Sequence, residues 1–187
     1  MTSNLKSLSV PHADIVRPSN SYRVAIVGAG TLKGKELAEV LNERNFPSLD
    51  VKLLDDESPG KLETMRDEIT FIQSVRAEQF NHIDFTFFAS DPDSALANWK
   101  AARKAGSDII DLSYALENEA GAVVRSPWIE RQLGSPFIPE LLPVPAVVAH
   151  PAAVVLALIV LRLSNALPVR HVSATVLQPA SELGQKG

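Results

Sequence analysis

A chain of 187 residues with 45% hydrophobic residues is long enough for one full domain and part of another. A formal net charge of −4 with no basic run argues against nucleic acid and against anionic membrane surfaces as partners. There is no cysteine, which removes disulfides, zinc–thiolate sites and thiol catalysis together.

Met1 to Asn20 has no continuous apolar stretch of the secretory kind and carries Lys6, His12, Asp14 and Arg17, so residues 1–20 read as a flexible polar tail on a cytoplasmic protein. Val24 to Val27 is a short apolar run, the pattern of a strand buried on both faces of a parallel sheet. Gly28, Gly30 and Gly34 stand at its end in the spacing G-x-G-x-x-x-G. Leu37, Val40 and Leu41 then recur at helical spacing, with Lys35, Glu36 and Glu39 left for solvent. The N-terminus of that helix offers unpaired N–H groups and a positive dipole end, which stabilise an anion. The pyrophosphate of a dinucleotide is the candidate, held by Gly28, Gly30, Thr31, Leu32, Lys33 and Gly34. A glycine-rich turn that binds nothing would give the same pattern.

Asn45 to Ser48 breaks the helix, and Val51 to Leu54 is a second strand with Asp55 and Asp56 at its carboxyl end. An acid there accepts hydrogen bonds from the adenosine ribose and repels a 2′-phosphate, so Asp55 favours NAD over NADP; a plain acidic loop is the alternative. Ser58-Pro59-Gly60 is a turn, Glu68 to Ile72 a small edge strand and Asp84 to Ala89 the next central strand. Ser90 to Asp93 caps a helix over Ser94 to Ala105, in which Leu96, Trp99, Ala102 and Arg103 share helical spacing; Gly106 ends it before a strand at Asp108 to Asp111. This βαβ alternation predicts an α/β fold, a Rossmann-type doubly wound parallel sheet.

From Leu112 to Pro145 five prolines predict an irregular surface connection, with a short strand at Ala122 to Val124 and Trp128 as a packing anchor. A strand at Ala146 to Ala149 leads through His150-Pro151 into an apolar helix over Ala152 to Leu163, too short to span a bilayer and read as a buried core helix. A last strand is expected at Val169 to Leu177. His12, His82, His150 and His171 have no metal-ligand spacing, so no metal site is expected.

RVAIVGAG followed by a further glycine and Glu-Leu, ERNFP, the FFAS strand end, AGSDIIDLS, the proline before the apolar helix and the closing RHVSATVLQPASELG together resemble the aspartate-semialdehyde dehydrogenase family over about residues 22–187. The resemblance implies a Rossmann NAD(P)-binding domain over residues 21–148 and, from 149 to 187, the start of an α+β catalytic and dimerisation domain, left incomplete. It implies NAD or NADP as cofactor and a homodimer or paralogue as partner, with no nucleic acid and no membrane. In that family a cysteine thiolate attacks the semialdehyde, hydride passes to the nicotinamide and phosphate releases the acyl group. Here Ala153 occupies the nucleophile position, and a methyl group forms no thioester.

Glu117 falls near the family's phosphate-binding arginine, Leu112 replaces an asparagine beside the matching Ser113, and Thr31 stands at the middle glycine. Ser90-Asp91-Pro92 replaces the glycine-rich segment that seats nicotinamide. Gln178 matches the glutamine that orients substrate, and Ser181 with Gly184 matches the cofactor loop imperfectly. The family's catalytic histidine and substrate arginine would lie beyond residue 187. The chain therefore reads as a non-catalytic relative or as the front of a longer gene product, with its last strand presenting an edge that needs a partner.

Overall fold

The apolar run after Tyr22 sets the centre of the fold. The computed structural model describes residues 21–65, 68–134 and 144–177. In it β1 (Tyr22–Val27) is an inner strand whose Val24, Ala25, Ile26 and Val27 are fully buried. Alternate side chains of a strand point to opposite faces. Ala25 and Val27 thus join one cluster with Ala95, Trp99 and Ala102 of a helix, α2 (Pro92–Lys104). Val24 and Ile26 join another with Leu41 and Leu37 of α1 (Leu32–Glu43). Helices on both faces remove any need for polar alternation along β1.

The other strands of the main sheet are β2 (Ser48–Leu54), β5 (Phe85–Phe88), β6 (Asp108–Asp111), β7 (Val123–Arg125) and β8 (Ala146–Val148). All six are parallel, in the order β2-β1-β5-β6-β8-β7. The chain builds outward from β1 through α1 to β2, then returns past β1 to β5. This reversal places a topological switch point between the carboxyl ends of β1 and β5, where open sheets of this kind hold ligands. The start of α2 is fixed locally: the Asp91 side chain accepts from the amides of Asp93 and Ser94, and Pro92 presets the first turn.

Several sequence expectations are corrected. Glu68 to Ile72 does not edge the main sheet; β4 (Glu68–Phe71) pairs antiparallel with β3 (Leu62–Met65), which the sequence reading missed, in a separate two-stranded sheet. A short 3₁₀ turn at Ala77–Phe80 and a helix, α3 (Pro127–Gln132), were likewise unforeseen. Val40 and Leu96 are largely exposed, because α1 buries Gly34 and Leu41, and α2 turns Ala95 inward in place of Leu96.

Trp128 is no packing anchor: it is 67% exposed on α3. The apolar helix forms as α4 (Pro151–Ser164), but none of its residues is buried, since α3 is the neighbour it packs on and covers only part of it. Val169 to Leu177 is not a strand. It is exposed along its length, with no strand beside it among the described residues to complete a ladder. Residues 1–20 and 178–187 lie outside the described residues.

Candidate functional site

The glycine turn is shaped by close approach. Gly28 has φ +84°, and a Cβ on it would lie 2.5 Å from the backbone of Ser90 at the end of β5. A Cβ on Gly34 would lie 2.2 Å from the Gly28 carbonyl oxygen, so both positions require the bare backbone. Between them Thr31 caps α1: its hydroxyl accepts from the Gly34 amide at 3.0 Å. The hydroxyl lies 2.8 Å from the Gly28 carbonyl and 3.0 Å from that of Ala89, to either of which it donates. The Thr31 hydroxyl thus lies between the turn and the end of β5.

The remaining amides divide cleanly. Gly28 and Ala29 donate to the Leu54 carbonyl, Thr31 donates to Gly28, and Lys35 starts the helical ladder on Thr31. The Leu32 and Lys33 amides have no acceptor among the described residues, which leaves them as the orphan donors of the first turn. The Lys33 side chain crosses the edge of the sheet. Its Nζ donates to the Leu112 carbonyl at 3.3 Å and lies 4.8 Å from the centroid of the Tyr114 ring, which in turn lies 5.2 Å from the His150 ring.

Asp55 does stand at the end of β2, but facing inward. It is 7% exposed, with Oδ2 accepting from the Gly30 amide at 2.8 Å and Oδ1 from the Glu57 amide at 2.9 Å. Gly30 makes this possible, since a Cβ there would lie 2.6 Å from Oδ2. Each oxygen keeps a further lone pair. Ser113 is also committed to the protein: its amide and hydroxyl both donate to the Asp111 carboxylate, at 2.7 and 2.6 Å. Asp111, fully buried, accepts from Leu116 as well and braces this loop, a role the sequence reading missed although an acid ends the β6 run.

Ser90 lies against Gly28 and bonds its neighbour's carbonyl. Ala153 is exposed in the first turn of α4, where His150 Nδ1 accepts from the Ala152 amide at 3.2 Å. Gln178, Ser181 and Gly184 lie outside the described residues. The structure therefore brings Gly28, Gly30, Thr31, Leu32, Lys33, Gly34, Asp55 and Ser90 together at the switch point and places Ser113 at the end of β6.

One acid whose proton affinity is altered, Asp108, lies at the opposite edge. Burial first, and the neighbouring Asp84 second, push its carboxyl above the usual range. Among the described residues no group of three His, Asp or Glu is placed to hold a metal ion, and no helix is long and apolar enough to cross a membrane.

A parallel sheet with helices on both faces and a glycine turn at its switch point defines a Rossmann-type α/β protein. More particularly, the chain belongs to the semialdehyde dehydrogenase family: residues 23–150 match the model described as semialdehyde dehydrogenase, NAD binding domain. It is 32% identical over 173 residues to a USG-1 protein homolog of Azotobacter vinelandii, an alignment covering 90% of this chain and 49% of that one. To an aspartate-semialdehyde dehydrogenase of Prochlorococcus marinus it is 27% identical, over 90% of this chain and 48% of that one. Among solved structures, a probable aspartate-semialdehyde dehydrogenase from Pseudomonas aeruginosa superposes with a TM-score of 0.66 at 29% identity, covering 79% of this chain and 43% of that one. The chain spans about half the length of the curated relatives it matches.

Proposed function

We propose that this chain is a nicotinamide-dinucleotide-binding protein of the aspartate-semialdehyde dehydrogenase type that prefers NAD to NADP and does not carry out the dehydrogenase step. The observation that carries the reading is the glycine turn at the switch point, where the Leu32 and Lys33 amides have no acceptor among the described residues. The residues fit a dinucleotide: those two amides and the α1 dipole face its pyrophosphate, with the Lys33 ammonium close by. Asp55, with its remaining lone pairs, receives the adenosine ribose and repels a 2′-phosphate. A bound nicotinamide would be a hydride carrier, a chemistry this chain is proposed to leave unused.

The loss of dehydrogenase chemistry rests on Ala153, an exposed methyl group at the N-terminus of α4 where the family resemblance calls for a thiolate. Glu117, near the phosphate-binding arginine of that resemblance, adds a repulsive charge. We place the chain in the cytoplasm and in amino-acid biosynthesis from its resemblance to the aspartate-semialdehyde dehydrogenases. Residues 149–187 are read as the start of the second domain, with Gln178 and Gly184 as its contributions to the site and a second copy or a paralogue as partner.

Calorimetric titration of the purified chain with NAD and, separately, NADP tests the reading. Saturable binding with NAD preferred is expected, and a folded chain that binds neither would overturn it. Ala153→Cys is expected to give no semialdehyde turnover; measurable turnover would refute the account of the lost chemistry. A scaffold or interaction module is the second reading. It is favoured by the exposed apolar side of α4, with Val155 58% and Ile159 52% exposed, and is the one to pursue if nucleotide does not bind.

A further inference from the structure

The row Lys33, Tyr114, His150 is not explained by holding a pyrophosphate alone. Its members come from three different places in the sheet: the turn after β1, the loop after β6 and the junction of β8 with α4. They meet at the carboxyl edge, with Lys33 Nζ 4.8 Å from the Tyr114 ring centroid and the two rings 5.2 Å apart. Tyr114 holds this place with φ +66°, a left-handed conformation uncommon for a tyrosine. The loop beneath it is fixed by the three hydrogen bonds that Asp111 accepts, so the Asp111 charge is directed into loop amides and hydroxyl.

The row lies to one side of the orphan amides. With Asp55 taking the adenosine side at β2, the other end of a dinucleotide runs over β5 toward β6, two strand spacings or about 10 Å away. That is within reach of the nucleoside attached to the pyrophosphate, and Tyr114 and His150 place there two aromatic rings tilted at 45° to each other. Beside them stands a cation. An oxidised nicotinamide ring bears a positive charge and a reduced one is neutral, so the Lys33 ammonium opposes the first and is indifferent to the second.

We infer that Lys33, placed over Tyr114, makes this site discriminate between redox states of the dinucleotide and bind the reduced form in preference to the oxidised. The inference rests on the proposed dinucleotide site. A charged ring held about 4–5 Å from the ammonium in near-aqueous surroundings would bind roughly four- to fivefold more weakly than a neutral one. Tyr114 is a specificity-determining platform in this scheme, and Lys33 sets the sign of the preference.

The test is a calorimetric titration of the whole chain, and of Lys33→Met and Tyr114→Asn, with ADP-ribose, NAD⁺ and NADH at one ionic strength. Thermal melts confirm that each variant is folded, and Asn is chosen because it tolerates the left-handed backbone. The native chain is expected to bind NADH about fivefold more tightly than NAD⁺, and Lys33→Met to bring the two within twofold of each other while weakening ADP-ribose as well. Tyr114→Asn is expected to weaken NADH several-fold and to leave ADP-ribose unchanged. Equal affinity of the native chain for NAD⁺ and NADH, or a ratio unaltered in Lys33→Met, overturns the inference while ADP-ribose binding leaves the dinucleotide reading standing. Failure of ADP-ribose to bind the folded native chain overturns both.

Discussion

Residues 22–116 and residues 123–177 are both rich in apolar side chains, yet only the first region is sealed. In the first, β1 feeds two separate clusters, and Phe80, Phe88, Ile26 and Leu116 have no exposed surface. In the second, α4 is almost wholly apolar yet has no fully buried residue, and Leu167, Val169, Val172, Val176 and Leu177 are all exposed. Val147 on β8 is the point where the second region reaches the core of the first. Burial is decided by what lies opposite a side chain, and composition alone does not supply that neighbour.

The sharpest way to break this contrast is to cut the same kind of hole in both regions. Phe88→Ala removes a fully buried ring between sheet and α2 and is expected to lower unfolding stability by about 3–5 kcal/mol in urea denaturation. Ile159→Ala on α4, already half exposed, is expected to cost less than about 1 kcal/mol. Equal losses would mean that α4 is covered by something that the comparison leaves out, such as a second chain, and sedimentation of the same samples would reveal it.

Within the sealed region the glycine turn is the next most sensitive point. Gly34→Ala drives a methyl group to 2.2 Å from the Gly28 carbonyl oxygen, and a loss of about 1–3 kcal/mol is expected together with weakened NAD binding. A variant as stable as the native chain would show that α1 has room to move off the turn. Thr31→Val removes the cap and the link to β5, at about 1 kcal/mol, whereas Thr31→Ser keeps the hydroxyl and is expected to melt close to the native temperature.

The smallest effect belongs to the exposed region. The Arg125 guanidinium meets both oxygens of Glu130, at 2.7 and 2.8 Å, and this hydrogen bonding, opposed by burial and helped by the Ser126 amide and the Arg125 charge, holds the Glu130 carboxyl below the ordinary glutamate range. A carboxyl depressed in the folded state contributes stability that is present above its unfolded value and lost as pH falls through the folded one. The contribution is screened at the surface. Glu130→Gln should differ slightly from the native chain near neutral pH and converge with it in acid, as urea midpoints across a pH series would register.

The sheet and its order of elements were legible because β1, β5 and β6 are short apolar runs separated by capped helices, a pattern with few other solutions. Asp91-Pro92 announced α2, and the glycine spacing announced the turn. What the sequence could not convey was orientation. An acid after β2 reads the same whether or not it also accepts from the Gly30 amide, and Ser113 reads the same whether its hydroxyl meets a ligand or Asp111. Lys33, Tyr114 and His150 were invisible as a group because 81 positions separate Lys33 from Tyr114 and 36 separate Tyr114 from His150. Val169 to Leu177 alternates as a strand would, but a strand exists only with a neighbour to complete its hydrogen bonds.

The Thr31 hydroxyl, 3.0 Å from the Ala89 carbonyl, carries a consequence for the order of assembly. A bond across 58 positions, between a helix cap and the end of β5, forms only after β5 has docked beside β1, a non-local step that costs loop-closure entropy before it is rewarded. The glycine turn of a chain still emerging from the ribosome therefore stays unfinished until Ala89 has been made and threaded into place.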